Sequence, residues 1–198
     1  MMDRTARPLV VIGAFAGSLV VGLVLMLWVM GGLRHATAPA AIGGPFQLTD
    51  QTGQTVTEKA MLGRPSLVFF GFTHCPDVCP TTLFEMSEVL KAMGKDGDRI
   101  NAYYISVDPE RDTQAAMKEY LSSFDPRLRG LTGSSEAIAK VLSEYRVYAK
   151  KVPLKDGDYT MDHTALIYLM DRDGKFVAPF NINRKPEDAA TDLKRYLG

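Results

Sequence analysis

Two cysteines and one distant histidine are the residues of this chain whose types and spacing are best suited to chemistry. Cys75 and Cys79 lie in the run Phe70–Pro80 (FGFTHCPDVCP), with three residues between them. A continuous apolar run at 66–70 predicts a buried strand before them, and apolar side chains at helical spacing predict a helix after them. At such a junction the helix N–H groups lower a cysteine pKa, and the sulfurs are accessible to a ligand.

The spacing of the two cysteines favours a metal site. A thioredoxin-type disulfide oxidoreductase has two residues between its cysteines, whereas this chain has three. Residues four apart on a regular helix have Cβ atoms about 5–6 Å apart, but a disulfide needs about 3.8 Å. A metal with bonds of about 2.3 Å tolerates sulfurs up to about 4.6 Å apart. A disulfide stays open as an alternative because Pro80 lets the loop bend.

The chain has three histidines, each of which is a candidate for the third ligand of such a metal site. His35 lies close to a predicted membrane span, and His74 is expected to point away from Cys75 if the strand extends that far. His163 lies in the predicted loop 159–164. In a thioredoxin-like fold this loop runs beside the first redox helix, so His163 can face the sulfurs. A structural histidine held by hydrogen bonds is the alternative.

The order of predicted elements indicates an α/β, thioredoxin-like domain with an added N-terminal β-hairpin, preceded by one transmembrane helix. Strands alternate with helices and are followed by a hairpin and a last helix. The predicted elements are a hairpin over 46–49 and 55–57, strands at 66–70, 102–107, 165–170 and 176–180, helices containing Met86–Met93, Met117–Phe124 and Ile138–Tyr145, and a last helix that opens with Pro186.

The N-terminal part predicts a membrane anchor. Residues 9–33 contain no charged or amide side chain and are long enough to cross a bilayer with some tilt. A cleaved signal peptide is the alternative, because residues 36–38 resemble a cleavage site. Two arginines precede the span and one follows it, which predicts that the C-terminal domain is translocated. The predicted division is a cytoplasmic N-terminus at 1–8, an anchor at 9–33, a tether at 34–44 and the thioredoxin-like domain at 45–198.

Composition excludes two classes of protein. The chain of 198 residues has 23 basic and 23 acidic side chains, so it lacks the basic excess that a nucleic-acid-binding surface needs. Two cysteines are too few for a small fold that depends on disulfides. We therefore expect no nucleic acid among the partners.

Three segments of the sequence together resemble a known family. These segments are the run FGFTHCPDVCPTTL at 70–83, the run SVDPERDT at 106–113 and the pair Asp162-His163. They resemble the Sco/SenC family of copper-binding assembly factors for cytochrome c oxidase. The resemblance covers nearly all of residues 45–198. The membrane anchor that precedes them is also the family's arrangement.

The resemblance implies a thioredoxin-like domain that binds one copper ion. Cys75 and Cys79 match the family's thiolate ligands, and His163 matches its histidine ligand. Soft thiolates suit Cu(I), and an imidazole makes Cu(II) acceptable as well, so that one site can take both oxidation states. Three protein ligands leave one position open, through which an acceptor can take the ion by ligand exchange.

Carboxylates near the motifs have simpler explanations than metal binding. Asp162 could orient His163 as an outer-shell partner, but an aspartate in a turn before a strand is the favoured explanation. Asp108 is expected to form a turn with the proline that follows. Asp112 or Thr113 is expected to be the N-cap of the next helix.

The resulting hypothesis is a copper chaperone, not an enzyme, in a bacterial inner membrane with its C-terminal domain in the periplasm. It would take copper from an unidentified donor and deliver it to the dinuclear copper centre of cytochrome c oxidase subunit II. The N-terminus lacks an Arg/Ser-rich transit peptide, which favours a bacterium. The alternative is a thiol–disulfide reductase whose redox pair, Cys75 and Cys79, keeps the subunit II cysteines reduced without His163.

Overall fold

The structure, a computed structural model, describes residues 17–28, 41–155 and 157–198. The chain divides into two compact units, Met1–Ala40 and Ala41–Gly198. In the first unit, residues 17–28 form helix α1, whose apolar side chains are exposed. No helix within the described ranges is both long enough and apolar enough to cross a membrane. The predicted anchor at 9–33 extends beyond the described residues at both ends.

The second unit contains nine strands and four α-helices within the described residues, together with two short 3-10 helices. The strands are β1 Gln47–Asp50, β2 Thr55–Thr57, β3 Ser66–Gly71, β4 Asn101–Ser106, β5 Leu128–Thr132, β6 Ala149–Pro153, β7 Tyr159–His163, β8 Ile167–Met170 and β9 Phe176–Pro179. The α-helices are α2 Val78–Met93, α3 Gln114–Leu121, α4 Ser135–Glu144 and α5 Pro186–Lys194, and the 3-10 helices are Glu58–Met61 and Gly94–Arg99.

Seven of these strands form one sheet in the order β2-β1-β5-β4-β3-β8-β9. β3, β4 and β5 are parallel, as expected for strands joined by helical crossovers, while β8 is antiparallel to β3. The hairpin β1–β2 adds two antiparallel strands next to β5. The thioredoxin-like fold and the added hairpin predicted from the sequence are both confirmed.

Strand β3, next to the central strand β4, is buried along its whole length. Helices α2 and α5 contact each other, while α3 lies on β5 and α4 on β1. The continuous apolar run at 66–70 therefore does indicate a strand without a solvent face. This buried strand ends at Gly71, next to the cysteine segment.

A strand of the main sheet and a separate two-stranded sheet, β6–β7, were not predicted. β5 was missed because Gly130 and the neighbouring Arg129 interrupt its apolar pattern. Gly130 is needed because Met117 and Leu121 of α3 occupy the space that its Cβ would fill. The antiparallel pair β6–β7 was missed because β6 is almost entirely exposed, so burial leaves no pattern in its sequence.

Two helix starts show how local sequence sets the element boundaries. The Thr113 side chain accepts a hydrogen bond from the backbone N–H of Ala116 at 3.2 Å, so Thr113 is the N-cap of α3. Of the two N-cap residues considered, Asp112 is instead buried and has another role. Pro186 occupies the first turn of α5, as predicted.

Asp50 connects the added hairpin to the rest of the sheet. Its carboxylate accepts hydrogen bonds from the Arg129 guanidinium at 2.6 Å and from the backbone N–H groups of Thr52 and Gln54, each at 2.9 Å. Burial raises the pKa of Asp50, but the hydrogen bonds from Arg129, Thr52 and Gln54 together outweigh burial and lower it to about 2.

We predict that Asp50→Asn lowers the free energy of unfolding at pH 7 by about 2 kcal/mol, because Arg129 loses its charged acceptor. A carboxyl pKa depressed in the folded state stabilises the protein above the unfolded pKa near 3.8, and this contribution is lost as the pH falls towards about 2. The difference in Tm between wild type and variant, followed by circular dichroism, should therefore shrink from pH 4 to pH 2. Asp173→Asn, at an exposed turn, is the control. A difference that does not change with pH would contradict the prediction.

Candidate metal centre

Both cysteines lie at the junction between β3 and α2, as predicted. β3 ends at Gly71 and α2 begins at Val78, so Cys75 is in the connecting loop and Cys79 is in the first helical turn. Both are free thiols, Cys75 half-buried and Cys79 buried. The backbone N–H of Cys79 donates a hydrogen bond to Cys75 Sγ at 3.4 Å. The two sulfur-bearing side chains are therefore on adjoining parts of one turn.

A buried carboxylate holds the loop that leads to Cys75. Asp112 accepts hydrogen bonds from the backbone N–H and the hydroxyl of Thr73, at 3.1 and 2.7 Å, and from the Ser106 hydroxyl at 2.6 Å. Burial raises the pKa of Asp112, and the hydrogen bonds from Ser106 and Thr73 act in the opposite direction. The end of β4 is thereby connected to the cysteine loop through a single side chain.

His163 lies beside Cys79, although the two residues are 84 positions apart in the sequence. Its Nε2 is 3.8 Å from Cys79 Sγ. Its Nδ1 is 3.1 Å from the carbonyl oxygen of Thr164. Because a carbonyl can only accept, this contact assigns the proton of the neutral ring to Nδ1 and leaves the Nε2 lone pair facing the sulfur.

Sheet pairing explains how His163 reaches the cysteines. β8 is antiparallel to β3, with Phe69 opposite Ile167. The segment that precedes β8 therefore lies beside the end of β3, where the cysteine loop begins. His163 is in that segment, at the end of β7 rather than in the loop predicted for it.

Aromatic side chains fix the plane of the imidazole. The Phe72 ring packs edge-on against His163 with 5.8 Å between ring centroids and an interplanar angle of 89°. Phe69 makes a second contact of this kind at 6.5 Å. Such edge-to-face contacts favour one ring orientation. The imidazole is thus held in the orientation that directs Nε2 to Cys79.

An ion pair anchors the strand that carries His163. Arg111 donates to Asp108 Oδ2 at 2.6 Å and to the backbone carbonyl of Tyr159 at 2.9 Å. Its guanidinium also lies 3.7 Å from the centroid of the Tyr159 ring, while the Tyr159 hydroxyl donates to Asp108 Oδ1 at 2.9 Å. Sequence reasoning assigned Asp108 to a turn and missed this anchor, because its partner on β7 is 51 residues away.

His74 is not part of this cluster. It is exposed, and its Nδ1 is 3.1 Å from the Thr73 hydroxyl. β3 ends at Gly71, before His74, so the expectation based on the alternation of strand side chains does not apply to it. His35 lies outside the described residues.

A backbone carbonyl, and not the Asp162 carboxylate, is the hydrogen-bond partner of His163 Nδ1. The acceptor at His163 Nδ1 is the Thr164 backbone carbonyl, and Asp162 is exposed on β7, opposite Lys150. Successive side chains of a strand point to opposite faces, so the residue next to His163 cannot easily reach the same ring. A backbone carbonyl is a common partner for the non-ligating nitrogen of a metal-binding histidine.

The expected low cysteine pKa is wrong for Cys79. Burial raises the pKa of this thiol to about 12, and the neighbouring Cys75 adds to the rise. The N–H groups at a helix N-terminus lower a cysteine pKa, but desolvation of the fully buried sulfur has the larger effect and raises it. The Cys79 thiol is therefore protonated at neutral pH in the absence of a metal.

Gly71 makes room for this arrangement. A Cβ at this position would lie 2.8 Å from Cys79 Sγ and 2.9 Å from the Tyr104 hydroxyl oxygen. The sequence shows a glycine directly after a predicted buried strand, which indicates a close approach of other groups. It does not show which side chains make that approach. Gly71, Cys79 and Tyr104 form one tightly packed contact below the site.

Within the parts of the chain that the structure describes, no three His, Cys, Asp or Glu side chains are close enough to hold a metal ion as they stand. Cys79 and His163 are brought together, whereas Cys75 Sγ is occupied by the hydrogen bond from the Cys79 backbone. A groove of about 490 Å³ lies between the start of α2 and the start of β8. Its lining includes Val78 and Leu166, each 47% exposed, so apolar surface borders the site.

Comparison with protein families gives a match over almost the whole compact domain. The SCO1/SenC family model matches residues 34–198. The chain belongs to the SCO1/SenC family. The resemblance inferred from the cysteine motif, the run at 106–113 and His163 is therefore confirmed.

Members of the SCO1/SenC family with known structures resemble this chain closely. Copper-bound ScoI of Bradyrhizobium japonicum is 74% identical, with a TM-score of 0.77, over 79% of this chain and 99% of that one. Copper-bound Sco1 of yeast is 38% identical, with a TM-score of 0.72, over 79% and 88%. The human mitochondrial SCO1 homolog is 41% identical over 167 residues, which is 83% of this chain and 55% of the relative. The chain thus spans about half the length of that human relative.

We predict that Asp112→Asn destabilises the domain by about 1–3 kcal/mol, because an amide group replaces an acceptor of Thr73 or Ser106 hydrogen bonds with a donor. The measurement is thermal unfolding by circular dichroism. Asp77→Asn, at an exposed acid between the cysteines that makes no side-chain cap bond, is the matched control and should change Tm little. Equal effects of both variants would show that Asp112 does not anchor the loop.

Proposed function

We propose that this chain is a copper chaperone that binds one copper ion through Cys75, Cys79 and His163. Copper is cargo in this role, taken from a donor and passed to an acceptor. Two kinds of support exist. ScoI and yeast Sco1, which share the fold and much of the sequence, have structures with copper bound, and the donor set here has the soft sulfur and imidazole ligands that copper prefers.

The distance between Cys79 Sγ and His163 Nε2 carries the proposal. Ligand bonds of about 2.3 Å to sulfur and about 2.0 Å to nitrogen place the two donor atoms about 3.7 Å apart when the angle at the metal is about 120°. The separation in the structure is 3.8 Å. A metal ion can therefore bridge this pair without movement of the backbone.

Cys75 completes the site by a change of its side chain. Its Sγ now accepts the Cys79 N–H at 3.4 Å. Rotation about the Cα–Cβ bond exchanges this weak hydrogen bond for a metal–sulfur bond, and the half-buried position leaves room for the movement. A third ligand that joins and leaves in this way suits a protein that must release its ion.

Copper binding replaces the thiol protons. The buried Cys79 thiol keeps its proton at neutral pH because its pKa is raised to about 12. Burial disfavours the thiolate, whereas the positive charge of a bound metal ion stabilises it. The sulfur therefore loses its proton on coordination. Binding then releases protons to the solvent and is favoured as the pH rises.

The cellular setting follows from the N-terminus and the family resemblance. We propose that residues 9–33 anchor the chain in a bacterial inner membrane and that the compact domain faces the periplasm. The acceptor is the dinuclear copper centre of cytochrome c oxidase subunit II. The donor is unidentified. Labelling of Cys75 in spheroplasts with a membrane-impermeant thiol reagent tests this orientation, and absence of labelling before lysis would contradict it.

We predict that the purified chain binds one equivalent of Cu(II) and that His163→Ala weakens this binding by more than the 10–100-fold typical of outer-shell changes. His74→Ala is the matched control, because His74 is the other histidine of the described residues and is exposed. Binding is measured by competition with a chelator, and the coordination by electron paramagnetic resonance. Unchanged affinity and spectra in His163→Ala would remove His163 from the site.

We predict that the copper-loaded chain transfers its ion to the copper-free, reduced soluble domain of subunit II, measured by the absorption of the dinuclear centre. His163→Ala should reduce the yield and His74→Ala should not. The thiol–disulfide reductase is the competing outcome. In that reaction the Cys75–Cys79 dithiol gives two electrons and two protons to the acceptor disulfide and becomes a disulfide itself. Reduction of oxidised acceptor by metal-free His163→Ala, without copper transfer by wild type, would establish the reductase.

A further inference from the structure

Two buried tyrosine hydroxyls near the cysteines make no hydrogen bond of ordinary length and angle. Within the described residues these are the hydroxyls of Tyr104 and Tyr120. Tyr104, on the central strand β4, has no exposed surface, and its ring lies 5.9 Å from that of Tyr120. A buried hydroxyl without a partner costs about 1–3 kcal/mol, and such groups are rare enough to require an explanation.

The Tyr104 hydroxyl and the Cys79 sulfur share the space above Gly71. A Cβ at Gly71 would lie 2.9 Å from the hydroxyl oxygen and 2.8 Å from Cys79 Sγ. The absent side chain of Gly71 thus permits both groups to approach one point. Stacking on Phe69, with ring centroids 5.9 Å apart, keeps the Tyr104 ring in place.

Cys79 Sγ is the acceptor that this hydroxyl can reach, because both atoms approach the same point above Gly71. A protonated thiol is a weak acceptor, whereas a thiolate is an anion that accepts strong, charge-assisted hydrogen bonds. A phenol carries the proton that such a hydrogen bond needs.

We propose that the Tyr104 hydroxyl donates a hydrogen bond to the Cys79 sulfur when that sulfur is a metal-bound thiolate. This inference rests on the proposed function, in which Cys79 is a copper ligand. Tyr104 is then a positioning residue that acts through Cys79. The hydrogen bond withdraws electron density from the sulfur, which stabilises Cu(I) relative to Cu(II) and raises the energy of the sulfur-to-Cu(II) charge-transfer band.

Tyr104→Phe tests this role because it removes only the hydroxyl. Tyr103→Phe is the matched control. Tyr103 is the adjacent buried tyrosine of β4, and its hydroxyl already donates to the Ala60 carbonyl at 3.1 Å. Tyr120→Phe tests the second unpartnered hydroxyl. All variants are made in the full-length chain in mild detergent, and circular dichroism confirms their folding.

In the copper-loaded chain, Tyr104→Phe should move the charge-transfer band to lower energy and reduce the preference for Cu(I) over Cu(II) about tenfold, the size of one hydrogen bond to a charged group. Tyr103→Phe and Tyr120→Phe should leave both quantities unchanged. A Tyr104→Phe variant that matches wild type in band energy and in Cu(I) preference would overturn the proposal. An effect found in Tyr120→Phe alone would overturn it as well, by assigning the donor to Tyr120.

A measurement without metal separates this proposal from the proposed function. In a Cys75→Ser background, the pH at which the ultraviolet absorbance of the Cys79 thiolate appears follows the thiolate population, and no reagent has to reach the buried sulfur. Tyr104→Phe should raise this pH by about one unit, which is a tenfold change, and Tyr103→Phe should not. If wild type binds no copper through Cys79 but this difference is found, the proposed function fails and the hydrogen bond to the thiolate stands. Equal midpoints in wild type and Tyr104→Phe would reject the hydrogen bond.

Discussion

The antiparallel pairing of β8 with β3 is the constraint on which the site depends. β3 carries the cysteine loop at its end, and the segment before β8 carries His163. Because neighbouring antiparallel strands place the end of one beside the start of the other, a register with Phe69 opposite Ile167 brings the two segments together. A register shift of one residue would turn every side chain of β8 to the other face. The buried side chains of both strands oppose such a shift.

The segment 106–113 holds both halves of the site against the sheet. Asp112 accepts hydrogen bonds from the cysteine loop, whereas Asp108 and Arg111 bind Tyr159 on the strand that carries His163. Asp108 and Asp112 are both fully buried, and buried charges are tolerated where they are paired and hydrogen-bonded. In the proposed function, these residues act by positioning the copper ligands.

Burial gives the site two contrasting sulfurs. Cys79 is fully buried, which raises the pKa of its thiol, while Cys75 is half-buried. In the proposed function, the first sulfur provides a fixed ligand with His163, and the second provides a ligand that can be exchanged at the surface. Apolar side chains beside the groove, Val78 and Leu166, offer an acceptor a surface to contact while that exchange takes place.

The amino-acid sequence by itself determined the fold class and the strand–helix junction that carries Cys75 and Cys79, because apolar periodicity and ligand types are local properties, and it made His163 the expected third ligand. It did not reveal β5 or the pair β6–β7, whose residues lack such a pattern. Only the tertiary structure decided that Cys79 and His163, 84 residues apart, lie 3.8 Å from each other, and that Thr164 rather than Asp162 orients the imidazole. It also decided that the Cys79 pKa rises rather than falls. Strand register and desolvation depend on many side chains packing together, and a motif of a few residues does not contain that information.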